Sequence, residues 1–263
     1  MSRTHRTPLL LTAAAAGALL LAGCGGTTAA TDAAAPVEVA PAAATEGAVE
    51  LADGLLPAEV FAPGATVTPV SADQLSQAVQ QAAGHHGDAA DAADVADAAG
   101  GAPTVTPDSC VTAVQAAHTA LGGAGSVADV EDAAGQYART GFAGTAELLT
   151  TGGPVEAVVG TLTDAVAACP TATVSSAEGT AVVSFGPVGA PALGDRAATV
   201  PVTATLTRAA GGAPVTASGV LGVVQDGDRL LTLVQGGVAA TTDQASFDEL
   251  LRQAAEHAAD ALD

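Results

Sequence analysis

The sequence of 263 residues contains no lysine and no tryptophan, and its aromatic residues are four Phe and one Tyr. Without lysine, catalysis through a lysine Schiff base is excluded. The seven basic residues are all arginines and are outnumbered by 28 acidic residues, which gives a formal net charge of −21. Such a chain lacks the basic face that the phosphate backbone requires, so we predict no nucleic-acid partner.

Motifs for catalysis are also scarce. No G-x-S-x-G sequence is present, so the nucleophile elbow of the α/β-hydrolases is excluded. The run at 123–128 fits G-x-G-x-x-A only formally, because it follows a predicted helix and not a strand. His118 and His257 lie in predicted helices, where a structural role accounts for each. We therefore predict a protein that is not an enzyme, with no catalytic residue and no cofactor.

The first 24 residues have the pattern of an export signal. Arg3 and Arg6 precede an apolar run that is shorter than the ~20 residues of a membrane-spanning helix. The run ends in Leu21-Ala22-Gly23-Cys24, which resembles the lipobox of bacterial lipoproteins. This resemblance implies cleavage before Cys24, a signal peptide over 1–23, and palmitate-type lipid on Cys24. The alternative is an ordinary cleaved signal in which Cys24 has no role.

The lipid on Cys24 would be the membrane partner and would place the protein on the outer face of the cell membrane. Residues 24–50 are rich in Gly, Thr, Ala and Pro and have almost no large apolar side chain. Such a segment cannot bury enough surface to offset its ordering entropy, so we predict a disordered tether. Residues 51–263 are then predicted to form a single domain.

Two cysteines remain, Cys110 and Cys169. An exported chain enters an oxidising compartment, so a disulfide between them is the favoured interpretation. A metal ligand or a reactive thiol is the alternative, although the chain has no C-x-x-C motif. We predict no metal site.

Periodicity predicts an α+β fold. Helical signals run from Thr106 to about Leu121 and from Pro154 to Cys169, and Ser246 begins a capping-box pattern for a C-terminal helix. β-branched runs separated by short turns predict strands at 172–175, 181–185, 198–207, 215–224 and 230–234. We predict an antiparallel β-meander of about five strands, packed against two disulfide-linked helices and the C-terminal helix. Pro201 suggests that its strand lies at an edge.

Residues 84–101 form an acidic, low-complexity segment with two adjacent histidines, His85 and His86. Its four aspartates are spaced three apart, so on a helix they would sweep around the axis instead of converging on one ion. We predict a solvated insertion in the domain and no metal site.

Several short motifs resemble those of actinobacterial lipoproteins with a PknH-like extracellular sensor domain. They are 55–58 (Leu-Leu-Pro-Ala), 106–107, 169–170, 193–195 and 226–229. The resemblance implies an antiparallel sheet flanked by helices, with a cleft for a ligand. The kinase sensor domain of that family carries two disulfides, whereas this chain can form one. We predict a cell-envelope lipoprotein acting as a ligand-binding or sensing module for an unknown small ligand or envelope partner protein. The alternatives are a lipid or glycolipid carrier and a structural or partner-binding envelope lipoprotein.

Overall fold

A computed structural model describes residues 46–70, 104–111, 130–153, 155–177, 179–238 and 242–262. The predicted lipidation site Cys24, the acidic segment 84–101 and His118 lie outside these ranges. The complete helices of the described part are α1 (Glu46–Asp53), α2 (Val155–Ala168) and α3 (Gln244–Leu262), and a 3-10 turn covers Ala58–Val60. The backbone is also helical over 108–111. The strands are β1 (Thr66–Val70), β2 (Thr104–Thr106), β3 (Val130–Thr140), β4 (Ala143–Gly152), β5 (Thr171–Ser176), β6 (Gly179–Phe185), β7 (Arg196–Arg208), β8 (Val215–Asp226) and β9 (Arg229–Val238).

All nine strands belong to one sheet, in the order β1-β3-β4-β9-β8-β7-β6-β5-β2, and every neighbouring pair is antiparallel. The predicted fold class, a five-strand meander on two linked helices and a C-terminal helix, is therefore wrong. The β3–β4 hairpin was missed because its strands are rich in Ala and Gly, which hide the alternation of a half-buried strand. The edge strands β1 and β2 are short and come from distant parts of the chain.

The two faces of the sheet bury different helices. One face carries Leu149, Leu233 and Val224, and α3 packs on it through Phe247 and Leu251. The other face carries Ala198, Val200 and Val223, and α2 packs on it through Val159 and Leu162 among others. The strands alternate their side chains between these two cores, so each central strand is buried on both sides.

Pro201 lies in the interior of the sheet, because β7 pairs with both β6 and β8. The edge position that we predicted for its strand is therefore wrong. In antiparallel pairing, the N–H and C=O of one residue point to the same neighbour. The carbonyl of Pro201 accepts from Gly186 N at 2.7 Å, just beyond the last β6 pair at Phe185. The missing N–H of Pro201 thus falls where β6 has already ended, and no bond to β8 is lost.

The α1 helix spans the boundary predicted between residues 50 and 51, and it contacts β3, β4 and α3. The segment that follows α1 continues across the same face of the sheet, where Leu56 and Phe61 are buried with the α3 core. Among the described residues, no helix has the length and the apolar character needed to cross a membrane.

Candidate functional site

A cleft of about 390 Å³ opens on the α3 face, at the end of the sheet that carries the β3–β4 turn. Its walls come from three places: the segment between the 3-10 turn and β1, the ends of β3, β4 and β9, and the first two turns of α3. The described lining residues are Val60, Phe61, Ala62, Ala65, Ala138, Thr140, Ala143, Gly144, Thr145, Gln235, Gly236, Thr242, Asp243, Ser246 and Leu250.

The floor of the cleft carries a polar pair. Thr145 on β4 and Gln235 on β9 are direct register partners, so their side chains lie on the same face of the sheet. Gln235 Nε2 donates a hydrogen bond to Thr145 Oγ1 at 3.3 Å. Thr145 is only 7% exposed, which makes it a buried hydroxyl beside the space of the cleft. The pair offers both donors and acceptors to a neutral ligand.

Apolar side chains form the wall opposite this polar floor. Phe61 is buried against the α3 core, and Val60, Ala65 and Leu250 pack beside it. A ligand that touches both sides therefore meets an apolar surface and hydrogen-bonding groups together. This combination is typical of small-molecule sites.

Asp243 is the N-cap of α3. Its Oδ2 accepts hydrogen bonds from Ser246 N at 2.9 Å and from Ser246 Oγ at 2.6 Å. These bonds hold the pKa of Asp243 below its ordinary value. The carboxylate thus already occupies the positive end of the helix, where an anion would otherwise bind. The predicted capping box placed the helix start at Ser246, whereas the helix begins at Gln244.

Glu147 lies two residues along β4 from Thr145, on the same face, and is only 2% exposed. Its carboxylate accepts hydrogen bonds from Gln136 Nε2 at 2.7 Å and from the Leu56 N–H at 3.1 and 3.2 Å. Gln136 Nε2 also donates to the Leu56 carbonyl at 2.7 Å. Burial raises the pKa of Glu147, while the bonds from Gln136 and Leu56 and the nearby His257 act in the opposite direction.

This buried group was not predicted from the sequence. An acidic residue in a strand is most often exposed, and the one available signal is that Thr145, Glu147 and Leu149 share the inward phase of β4. His257 was predicted to have only a structural role in the last helix, yet it acts electrostatically to lower the pKa of Glu147.

The predicted disulfide between Cys110 and Cys169 is confirmed, with a Cα–Cα distance of 5.0 Å. It joins the helical residues at 108–111 to the residue that follows α2, and it packs with Ala165 and Ala172. These residues belong to the β5 and β2 side of the sheet, whereas the cleft lies on the β3, β4 and β9 side. The disulfide is therefore a structural crosslink distant from the cleft.

Two further observations complete the geometry. Within the described residues, no group of three His, Cys, Asp or Glu side chains is arranged to hold a metal ion. Gly144 lies in the cleft lining, and the ring of Tyr137 packs on its other side. A Cβ at Gly144 would therefore overlap the Tyr137 hydroxyl. A side chain larger than glycine is thus excluded at position 144 unless Tyr137 moves.

No protein-family model matches the chain, and no curated protein matches it. Among solved structures, the chain is similar to the extracellular domain of PknH from Mycobacterium tuberculosis, with 19% identity, 61% of this chain and 77% of that chain covered, and a TM-score of 0.38. It is also similar to an uncharacterized protein, the Rv0999 ortholog from Mycobacterium smegmatis, with 11% identity, 81% and 96% covered, and a TM-score of 0.37. The first of these two structures is the kind of domain that the sequence motifs resemble, and both similarities are low.

Proposed function

We propose that this chain is an exported, lipid-anchored binding module that holds a small uncharged ligand in the cleft. The ligand would combine an apolar part, placed against Phe61 and Leu250, with hydroxyl or amide groups placed against Thr145 and Gln235. Export and anchoring rest on the signal sequence and on Cys24, as predicted above. Binding rests on the cleft.

The charge of the residues that line the cleft is our reason for proposing an uncharged ligand. The chain has no lysine, and none of the five described arginines, Arg139, Arg196, Arg208, Arg229 and Arg252, lines the cleft. An anionic ligand entering this space would lose its hydration without gaining a cationic partner from those residues, which is unfavourable. The carboxylate of Asp243 adds repulsion. A neutral ligand meets neither cost.

The size of the cleft favours a small ligand over a lipid. About 390 Å³ lies near the lower end of the ~300–1,000 Å³ found for small-molecule sites. A lipid or glycolipid carrier needs a large apolar cavity, and no observation on the described residues favours one. The carrier therefore stays an alternative prediction.

We also propose binding without chemistry. Among the described lining residues, Asp243 is the one with a carboxylate, and both of its hydrogen bonds from Ser246 stabilise the start of α3. A general acid or base must itself lie within hydrogen-bond reach of the group whose proton it transfers. The polar floor supplies an amide and a hydroxyl, which bind and orient but do not titrate near neutral pH.

Nuclear magnetic resonance titration of the uniformly ¹⁵N-labelled protein tests this function. We would add neutral sugars, neutral blocked dipeptides and inorganic phosphate separately, each at millimolar concentration. We expect a neutral probe to shift the amides of Thr145 and Gln235 in a saturable way, and phosphate to leave them unchanged. Binding of phosphate at these amides, or no response to any neutral probe, would contradict the proposal.

A matched pair of variants locates the binding energy. Thr145→Val removes the buried hydroxyl, and we expect the affinity for the neutral probe to fall about fivefold, as for the loss of one hydrogen bond of ~1 kcal/mol. Thr203→Val makes the same change at an exposed position of β7 and should leave the affinity unchanged. Equal affinities of the two variants would contradict the placement of the ligand.

A further inference from the structure

Residues 46–65, which we name the strap, lie across β3 and β4 and against α3. Leu51, Leu56 and Phe61 of the strap are buried. Gly54 fits so closely that a Cβ there would lie 2.8 Å from Leu262 Cδ1 and 3.0 Å from Leu149 Cδ1. The strap is thus seated in the α3 face and is not a loose extension.

One peptide position of the strap is held by polar groups on both sides. The Leu56 N–H donates to the Glu147 carboxylate, and the Leu56 carbonyl accepts from Gln136 Nε2. Gln136 and Glu147 are register partners on β3 and β4, so the sheet presents them as a pair. A buried carboxylate in this place carries a desolvation cost that only the ionised form bears.

The surroundings of Glu147 are nearly free of charge. Gln136 faces it from β3, Leu233 from β9 and the Leu56 backbone from the strap, and all three are uncharged. From α3, His257 faces it and favours the ionised carboxylate when the imidazole is protonated. Of the charged side chains in the described residues, His257 is the one that influences the pKa of Glu147.

We propose that the strap is a proton-linked wall of the cleft: protonation of the buried Glu147 carboxyl shifts the strap toward the closed state, and ionisation shifts it toward a lifted state in which Leu56 no longer contacts this side chain. Lifting brings water to the carboxylate. Gly64 lies at the end of the strap next to β1, with a φ of +80° and no atom within 4 Å of its Cβ position. We place the turn of the strap at this residue.

The direction of the pH effect follows from linkage. Closure raises the pKa of Glu147 above its ordinary value of 4.5, whereas hydration in the lifted state returns the pKa toward that value. The closed state therefore binds the proton more tightly, and closure loses stability as the pH rises through the raised pKa.

The strap supplies Val60, Phe61, Ala62 and Ala65 to the cleft. Lifting would remove this apolar wall, so ligand binding and strap closure would support each other. This last step rests on the function proposed above. The movement of the strap does not, and it can be measured without any ligand.

Amide hydrogen exchange of the full chain, without ligand, tests the strap. We would measure the protection of the Leu56 amide from about pH 5 to about pH 8, corrected for the intrinsic exchange rate. Each unit of difference in the Glu147 pKa between closed and lifted states changes the opening constant about tenfold. We expect the protection of the Leu56 amide to fall with rising pH. The protection of Val223, in the central strand β8, should not fall with it.

Two variants complete the design. Glu147→Gln keeps the size of the side chain and removes the ionisable proton, and we expect the protection of Leu56 to lose its pH dependence. Glu156→Gln makes the same change at an exposed position in the first turn of α2 and should behave like the parent.

Three results would overturn the proposal. They are a parent protein in which Leu56 protection is constant over this pH range, a Glu147→Gln variant that keeps the full pH dependence, and a parallel loss of protection at Val223, which would indicate global unfolding. Failure of every neutral probe to bind the cleft would contradict the proposed function but would leave the exchange result unaffected.

Discussion

Gly222 lies on β8 where α3 packs against the sheet, and adding a methyl group there tests how tightly this helix packs. A Cβ at Gly222 would lie 2.9 Å from Leu251 Cδ2 and 3.0 Å from Phe247 Cε1 and Cζ. Optimal separation between carbon atoms is ~3.5–4.0 Å, so the two side chains would have to retreat by roughly 0.5–1 Å. Both are completely buried and have no free space to enter.

The expected change follows from two opposing effects. Overpacking of a core costs ~1–3 kcal/mol, while replacing glycine by alanine in a strand recovers roughly 0.5–1 kcal/mol of backbone entropy. We therefore expect Gly222→Ala to lower the free energy of unfolding by up to about 2.5 kcal/mol. Urea unfolding followed by far-ultraviolet circular dichroism is the suitable assay, because the chain has no tryptophan to report by fluorescence.

Gly160 provides a matched control. It lies inside α2, and a Cβ there would meet no atom within 4 Å. Gly160→Ala should raise the free energy of unfolding by about 0.5–1 kcal/mol through helix propensity alone. A Gly222→Ala protein stabilised as much as the Gly160→Ala protein would refute the close packing of α3 on β8.

Three other predictions can be checked with simple variants. The double variant Cys110→Ser, Cys169→Ser should lose about 2–5 kcal/mol of stability, since the bond closes a sequence separation of 59 residues; unchanged urea midpoints would contradict this. Cys24→Ala should abolish palmitate labelling and release the protein or leave it unprocessed, and continued acylation would argue against lipid on Cys24. Deletion of 84–101 should leave the melting temperature unchanged with chelator, Zn²⁺ or Ca²⁺; a metal-dependent rise in the parent that is lost on deletion would reveal a site.

The strands from β5 to β9 could be placed from the sequence because they are runs rich in β-branched and apolar residues, separated by short turns. The α2 helix was placed because its valines and leucine recur at helical spacing before Cys169-Pro170. In both cases, large and small or apolar and polar residues differ enough to show a period.

The β3–β4 hairpin and the size of the sheet could not be predicted in the same way. Position 134 is alanine on the buried face of β3 and position 133 is alanine on the other, so the pattern carries no phase. The pairing of β1 with β3 and of β2 with β5 joins segments far apart in sequence, and no local signal specifies such partners. The predicted meander was too small for this reason.

The cleft could not be predicted either, because it depends on the β3–β4 hairpin that the sequence did not reveal. Thr145 and Gln235 become neighbours only through the register of β4 with β9, across 90 residues of chain. Glu147 gains its unusual environment only when the strap lies over it. Tertiary contacts therefore decide the chemistry of these side chains, whereas the disulfide could be predicted because just two cysteines remained to pair.

The position of Tyr137 gives this protein a built-in optical probe. It is the single tyrosine of a chain without tryptophan, and its ring rests on Gly144, whose other side forms part of the cleft. The tyrosine signals of the native protein thus come from a single ring that is separated from the cleft by the thickness of one strand. A ligand that displaces Gly144 also displaces the ring, so occupancy of the cleft can be followed in the unlabelled protein.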